Sequence, residues 1–328
     1  MGDGLLDFGR APIVKGRAPS IAMPMIERVR AAQGMKQAVV KVASYAHGIA
    51  RVQGVMDYIS RKGKLELETE SGERITDRQE AKALAANWSG DFDRGRRSRD
   101  AVHVVFSMPA GSKVEALRES VRKVGARAFP DQEWVFAIHQ DKQHPHAHMV
   151  IKMRGRKKDK KLRLGKPQLY KLREIFAEAA REEGVPLAAS SRAARGIGRK
   201  GESQAIYQMH HKGIVPKVEK QAAEELIFDL ERGPLMEKPW EKAMRERNER
   251  ERKAYREEAA RLRAAAIKAR ADQDHRLQHG LLKTAGDLER FAEDMPEAKS
   301  KRQAMLEKVG IKMPKISKSR QADHEIGD

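Results

Sequence analysis

Four histidines fall within ten residues of the sequence, at His139, His144, His146 and His148, and Asp141 lies among them. His146 and His148 are two residues apart in an apolar run that predicts a strand, so their side chains point to the same face of a sheet. If the preceding strand pairs with this run as a hairpin, His139 lies opposite His146 and shares that face. Three neutral imidazoles that converge in this way suit a divalent cation with positions left open for a substrate.

The alternative interpretation of the histidine pair is a polar strand face exposed to solvent. The hairpin-compatible spacing of His139 and Asp141 favours the metal site, and we predict His139, His146 and His148 as its ligands. Asp141 is suited to orient a histidine or to accept a proton from a nucleophile. His144 falls in the predicted turn and is not counted as a ligand.

Tyr58 lies on a predicted amphipathic helix and precedes the basic residues Arg61, Lys62 and Lys64. A phenol needs a base or a nearby positive charge before it acts as a nucleophile. A cation held by the histidines would provide the electrophile in an attack on phosphate, by polarising a nonbridging oxygen. The basic residues would hold the neighbouring phosphates. The alternative is a tyrosine that packs at the edge of the core.

A basic segment follows the second histidine strand. Residues 154–173 contain ten Lys or Arg and one acidic residue, Asp159. A DNA single strand that enters the site would run beside this segment. The predicted DNA contacts here are Lys157, Lys158, Lys160 and Lys161. A solvated loop is the alternative interpretation.

The elements that must position these residues belong to an α+β domain. Segments with the apolar and β-branched content of strands are 37–44, 101–108, 134–139 and 145–153. Segments with the spacing of amphipathic helices are 49–61, 77–88, 114–129 and 167–184. The pattern predicts a mainly antiparallel five-stranded sheet flanked by helices. His103 falls on one of these strands, where a buried structural role and a phosphate contact are both open.

The composition limits the class of protein. The chain has 328 residues, no cysteine and a formal net charge of +20. The charge favours a polyanionic partner, and the lack of cysteine excludes disulfides and thiolate chemistry and fits the cytoplasm. No apolar run predicts a membrane span, and the N-terminus lacks the pattern of a secretory signal. We expect a flexible N-terminal arm (1–35), a catalytic domain (36–215) and a charged all-α extension with a short tail (216–328).

Several segments resemble the motifs of conjugative relaxases in the HUH endonuclease superfamily, in particular the border-nicking (VirD-type) relaxases of tumour-inducing plasmids and related mobilisation proteins. Residues 58–67 (YISRKGKLEL) resemble the nucleophile motif, 103–111 (HVVFSMPAG) the second motif, and 139–148 the histidine motif. Residues 190–197 (SSRAARGI) are similar to a basic segment that often follows, and they add Arg192 and Arg195 as predicted DNA contacts. The resemblance spans roughly residues 39–207.

This resemblance implies site- and strand-specific nicking and rejoining of DNA at a transfer origin. Tyr58 would form a covalent 5′-phosphotyrosyl intermediate, His139, His146 and His148 would hold Mg²⁺ or Mn²⁺, and Asp141 would tune a histidine or Tyr58. The implied partners are single-stranded DNA, accessory relaxosome proteins and the coupling protein of a type IV secretion system. The implied location is the bacterial cytoplasm, with export alongside the DNA.

Two other functions stay open at this stage. A rolling-circle replication initiator uses the same chemistry, although the sequence has no GxxxxGK[ST] phosphate-binding loop. A non-catalytic DNA-binding protein could retain the histidines without activity. Metal-dependent nicking would separate the enzymes from the binding protein.

Overall fold

The computed structural model describes residues 25–92, 95, 98–157, 161–197, 202–233, 235–308 and 310. The chain divides into two compact units, residues 1–190 and residues 191–328. The 215/216 division expected from the sequence lies within the second of these units. Part of the expected N-terminal arm is helical, because residues 25–32 form a helix, while residues 1–24 and the tail from 311 onward lie outside the described residues.

The first unit combines helices with two sheets. Its helices are α1 (Met25–Ala32), α2 (Gly48–Ile59), α3 (Arg78–Ser89), α4 (Val114–Ala128) and α5 (Lys166–Glu182). Its strands are β1 (Lys36–Gln37), β2 (Val39–Ala46), β3 (Leu67–Thr69), β4 (Arg74–Ile75), β5 (Ala101–Ser107), β6 (Trp134–His139), β7 (His146–Lys152) and β8 (Leu187–Ala188). The main sheet is antiparallel in the order β2-β5-β7-β6-β3-β4, and β1 pairs with β8 in a separate parallel pair. The α+β class is confirmed, but the main sheet has six strands and not five.

The four strand segments named from the sequence correspond to β2, β5, β6 and β7, and the short hairpin β3–β4 supplies the other two strands of the main sheet. Its strands are too short to show an alternating pattern, and β3 contains Glu68, a residue that is rare in strands. Glu68 is nevertheless only 2% exposed, because Arg118 donates to its carboxylate at 3.1 Å and Arg122 forms a second ion pair with it. Paired charges of this kind can be buried where a lone carboxylate cannot.

Helices cover both faces of the main sheet. On one face, Phe106 and Met149 pack with Phe176 of α5 and with α4. On the other face, Val150 packs with Trp88 of α3 and with α2. Successive strand residues point to opposite faces, so the neighbours Met149 and Val150 enter different cores. The sheet is therefore the central layer of three.

The described part of the second unit is helical, as expected for the C-terminal region. It contains a short 3-10 helix (Ala193–Arg195) and helices α6 (Gln204–His211), α7 (Lys217–Glu231), α8 (Pro239–Ala271), α9 (His275–Asp294) and α10 (Lys301–Lys308). Helices α8 and α9 pack together, with the rings of Tyr255 and Phe291 5.0 Å apart. The buried Tyr255 hydroxyl donates to the carbonyl of Ala194 at 3.0 Å. Across the described parts of both units, no helix is long and apolar enough to cross a membrane.

A close contact between α4 and the sheet generates a stability prediction. A Cβ atom added at Gly125 would lie 2.3 Å from the ring of Trp134. Gly125→Ala should lower the free energy of unfolding by about 1–3 kcal/mol, because overpacking a core forces side chains out of their rotamers. This loss outweighs the gain in helix propensity of at most ~1 kcal/mol. Urea unfolding measures the difference.

Gly54→Ala is the matched control, because Gly54 lies inside α2 and a Cβ there would meet no atom within 4 Å. It should raise the free energy of unfolding by up to ~1 kcal/mol through helix propensity alone. If the two alanine variants are equally stable, the close packing of α4 on Trp134 is wrong.

Candidate active site

The β6–β7 hairpin brings three histidines to one sheet face. His139 pairs with His146, and Ala137 pairs with His148, which confirms the register predicted from the sequence. The ring centroids of His139 and His148 are 4.3 Å apart, and those of His146 and His148 are 5.1 Å apart. Each histidine offers one ring nitrogen, and these three atoms lie within 4.8 Å of one another.

Each of the three imidazoles has a hydrogen-bond partner for one ring nitrogen. The pairs are His139 Nε2 with the carbonyl of Ile59 at 2.7 Å, His146 Nδ1 with the carbonyl of His144 at 3.1 Å, and His148 Nδ1 with His103 Nε2 at 2.7 Å. A carbonyl can only accept, so His139 and His146 donate through these nitrogens. Their other nitrogens then carry the lone pairs that a cation needs. The donor set thus fits a divalent metal ion.

Burial keeps His148, His103 and His139 neutral. Desolvation, together with the charges of neighbouring histidines, lowers the pKa of His148 to about 3. Desolvation also lowers the pKa of His103 to about 4 and lowers that of His139. A neutral imidazole is the form that binds metal, so the site is ready for a cation at neutral pH.

Tyr58 occupies the last turn of α2, above the histidines. Its ring centroid lies 5.6 Å from that of His148 at an interplanar angle of 86°, and 6.5 Å from that of His139. The side chain is 61% exposed, so the ring contacts the site while remaining accessible to a substrate. A tyrosine that only fills the core edge would be covered to a much greater extent.

Polar contacts hold both ends of α2. At its start, the carboxylate of the buried Asp100 accepts from the backbone N–H of Gly48 at 2.8 Å. Near its end, Arg78 donates two hydrogen bonds to Asp57, at 2.8 and 2.7 Å. A bidentate pair fixes direction as well as distance, so Tyr58, the next residue, has a defined position.

The turn after α2 has an uncommon backbone. Arg61 and Lys62 have φ values of 51° and 60°, in the left-handed region that non-glycine residues seldom occupy, and Gly63 follows at 85°. Such strain is often found at functional sites. Arg61, Lys62 and Lys64 are all exposed here, three to six residues after Tyr58.

Asp141 lies in the β6–β7 turn and pairs with Arg61, whose guanidinium is 2.7 Å from its carboxylate. Burial acts to raise the pKa of Asp141, but the hydrogen bond and charge of Arg61 outweigh it and hold the pKa below its usual value. The negative charge also favours protonation of His139 and His148, against the larger effect of burial. The pair links the turn after α2 to the histidine hairpin.

The other predicted DNA contacts are distributed over both units. Lys157 is exposed and 3.8 Å from Asp131, and Lys161 is half-buried at a bridge with Arg154. Lys158 and Lys160 lie outside the described residues. Arg192, which is exposed, and Arg195, which is half-buried, belong to the second unit, beside and on the 3-10 helix.

Pairing within the sheet places two further residues on the histidine face, and the sequence alone did not predict their positions. Lys41 of β2 pairs with Val105, which pairs with His148, so the exposed Lys41 lies on the histidine face. His103 lies beneath His148 and is 5% exposed. The pairing of β2 with β5 links strands about 60 residues apart in sequence, and local patterns contain no signal for it.

The second unit contains another group of possible metal donors, Glu202, His210 and Glu219. His210 Nδ1 lies 3.3 Å from Glu202, and Nε2 lies 3.0 Å from Glu219. The hydrogen bond to Glu219, with the charges of both carboxylates, raises the pKa of His210. Both ring nitrogens therefore bind carboxylates, which is the arrangement of an ion-pair bridge between α6 and α7.

A histidine triad on a sheet face beside an exposed tyrosine is the arrangement implied by the resemblance to HUH relaxases. Residues 58–185 match the family model described as "Relaxase: MobA/VirD2-like, nuclease domain". The matched segment begins at Tyr58 and includes all three triad histidines. This segment is therefore similar to the nuclease domain of MobA/VirD2-like relaxases.

The chain is also similar to two individual proteins. The chain is 30% identical over 196 residues to the T-DNA border endonuclease VirD2 of Rhizobium radiobacter, which covers 53% of this chain and 44% of the relative. It is 32% identical over 164 residues to the protein of the same name from Rhizobium rhizogenes, covering 43% of this chain and 37% of the relative. The chain therefore spans less than half the length of these relatives.

The lowered histidine pKa values predict how stability changes with pH. In the unfolded chain histidines titrate near ~6.5, whereas in the folded unit His148 and His103 do so only at about 3 and about 4. Between about pH 4 and ~6.5 the unfolded state therefore binds more protons than the folded state, and stability falls as pH falls through this window. Proton uptake by these two histidines on unfolding should rise from less than one at pH 7 to about two at pH 5. Urea unfolding in EDTA, followed by Trp88 and Trp134 fluorescence in a Trp240→Phe background, measures this.

The matched control is the double variant His103→Gln/His148→Gln, in which neither side chain titrates. Its stability, relative to its own value at pH 7, should depend much less on pH in this range. The same pH dependence in both proteins would show that other groups are responsible. The range ends at pH 5 so that carboxylate titration does not contribute strongly.

Proposed function

We propose that the first unit nicks and rejoins single-stranded DNA at a transfer origin by transesterification, with Tyr58 as the nucleophile. The observation that carries this proposal is the exposed Tyr58 ring 5.6 Å from the ring of His148, which belongs to the triad. The family match supports the same reaction class, and the names of the relatives describe endonucleases that act at T-DNA borders.

In the proposed reaction the Tyr58 hydroxyl loses its proton and its oxygen bonds to the phosphorus, while the 3′ oxygen of the cut strand leaves and takes up a proton. One phosphodiester bond is exchanged for another, so a 5′-phosphotyrosyl bond forms without a high-energy cofactor. The free 3′ hydroxyl can attack this bond in reverse and rejoin the strand. The ion pair with Arg61 makes Asp141 a weak base, so we assign Asp141 to holding Arg61 near the scissile phosphate.

We propose that His139, His146 and His148 hold the catalytic cation, Mg²⁺ or Mn²⁺. The donor set of three imidazoles supports this assignment, since it leaves positions for phosphate oxygens. When bound, the cation would supply Lewis-acid polarisation of the phosphate. The chain's own contribution is to orient the imidazoles and, by burial, to keep His139 and His148 neutral.

We also propose how DNA reaches the site. Arg61, Lys62 and Lys64 stand exposed after Tyr58 and would bind the phosphates next to the scissile one. Lys157, Lys158, Lys160 and Lys161 would extend this path, while Arg192 and Arg195 would contribute from the second unit. The helical second unit would serve accessory relaxosome proteins and a type IV secretion coupling protein, with export of the chain alongside DNA.

Tyr58→Phe should abolish covalent attachment to DNA and leave DNA affinity within about threefold, because phosphate contacts and not the hydroxyl dominate binding. The measurement incubates the protein with Mn²⁺ and a library of single-stranded oligonucleotides labelled at the 3′ end. Denaturing gels then detect labelled protein, since the fragment 3′ of the nick stays attached. EDTA should prevent labelling of the unmodified protein.

Tyr207→Phe is the control, because Tyr207 is an exposed tyrosine in the second unit. It should be labelled like the unmodified protein. Labelling of Tyr58→Phe would assign the nucleophile to another residue and refute the proposed reaction.

Neutralising Lys62 and Lys64 together should flatten the salt dependence of single-stranded DNA binding. Each phosphate contact contributes about −0.7 to the slope of log affinity against log salt, so Lys62→Gln/Lys64→Gln should reduce the slope by about 1.4 if both lysines bind phosphate. Fluorescence anisotropy from 50 to 300 mM NaCl measures it.

A charge-matched control is Lys123→Gln/Arg127→Gln on α4, which packs on the opposite face of the sheet from the histidines. Its slope should stay at the value of the unmodified protein. If the two double variants give the same slope, the turn after α2 does not bind the DNA backbone.

A further inference from the structure

A fourth histidine, His103, supports the triad from below without belonging to it. It lies on β5, paired with Val150 of β7 and with Ser44 of β2, and so in the interior of the main sheet. It is 5% exposed, and its Nε2 is 2.7 Å from Nδ1 of His148. At this distance the two nitrogens share one proton in a hydrogen bond.

The two possible directions of this hydrogen bond have different consequences for the site. If His148 donates through Nδ1, its Nε2 carries a lone pair that can bind a cation. If His103 donates instead, neutral His148 has its proton on Nε2, and that nitrogen cannot bind a metal. The partner of His148 therefore decides whether His148 can act as a ligand.

We propose that His103 is a positioning residue of the metal site, which accepts at Nε2 from the Nδ1–H of His148 and so directs the Nε2 lone pair of His148 to the cation. This inference rests on the metal site of the proposed function. It goes beyond that proposal because His103 itself binds neither metal nor DNA. It also decides between the structural role and the phosphate contact that the sequence left open.

The surroundings of His103 favour this role. With 5% exposure, the ring is not in a position to bind the DNA backbone from solvent. The ring of Tyr58 also packs edge-on, with its centroid 6.0 Å from that of His103 and 5.6 Å from that of His148. The hydrogen bond between the histidines is thus shielded by the proposed nucleophile. Interactions behind a metal ligand typically change metal affinity by 10–100-fold when removed.

The test compares His103→Leu with His103→Gln, measuring Mn²⁺ affinity by isothermal titration calorimetry. His103→Leu should weaken binding by about 10–100-fold, because leucine cannot accept the proton of His148. His103→Gln should stay within a few-fold of the unmodified protein, since its amide oxygen can accept. His279→Leu, which removes an exposed histidine of α9, should change nothing.

Two results would overturn the proposal, and together they distinguish failure of the role of His103 from failure of the proposed metal site. Mn²⁺ affinity of His103→Leu equal to that of the unmodified protein would refute the role of His103 and leave the metal site intact. No Mn²⁺ binding by the unmodified protein would refute the metal site itself, and the role of His103 with it.

A spectroscopic measurement on the unmodified protein keeps the proposal testable if His103→Leu does not fold. Long-range ¹H–¹⁵N spectra of the histidine rings, with Mg²⁺ as a diamagnetic probe, assign each ring proton. The proposal requires a proton on Nδ1 of His148 and on Nδ1 of His103. A proton on Nε2 of His103 would overturn it.

Discussion

The hydrogen bond from Nε2 of His139 to the carbonyl of Ile59 joins the two parts of the candidate site, helix α2 with Tyr58 and the β6–β7 hairpin with the three histidines. Its length is 2.7 Å, and it links residues 80 positions apart in the sequence. Ile59 is the residue after Tyr58 and the last of α2, where helix carbonyls lack partners within the helix. One contact therefore satisfies a buried carbonyl at the end of the helix, orients an imidazole of the proposed metal site and places the tyrosine beside it.

Three further contacts hold α2 and the turn after it in place. Asp100 holds the start of the helix, and the pair of Asp57 and Arg78 holds its last turn. Beyond the helix, the pair of Arg61 and Asp141 connects the strained turn to the histidine hairpin. If Tyr58 is the nucleophile, as proposed, a side chain supported in this way would lose little conformational entropy when the substrate binds, which is the physical basis of preorganised catalysis.

Much of this site could be predicted because its parts are local in sequence. The β6–β7 hairpin is one, since a short turn and alternating side chains fix the register of His139 and His146. The contacts between distant segments could not be predicted in this way. The bond from His139 to Ile59, the pairing of Arg61 with Asp141 and the position of β3 depend on how the layers pack. The charged Glu68 argues against a buried strand at β3, because Arg118 and Arg122 neutralise it only in the folded unit.

One end of this sheet face packs against helices α2 and α3, and the other end carries the three histidines. Along β7, Val150 is covered by α2 and α3, whereas His146, four residues earlier, is only half-buried. His148 lies between them, close enough to the apolar core that burial lowers its pKa to about 3. A site wholly in solvent would leave such imidazoles partly protonated near their usual pKa, and one wholly in the core would exclude a DNA strand. The histidines therefore stand where the helical cover of the sheet ends, with His139 and His148 buried and His146 half-buried at its edge.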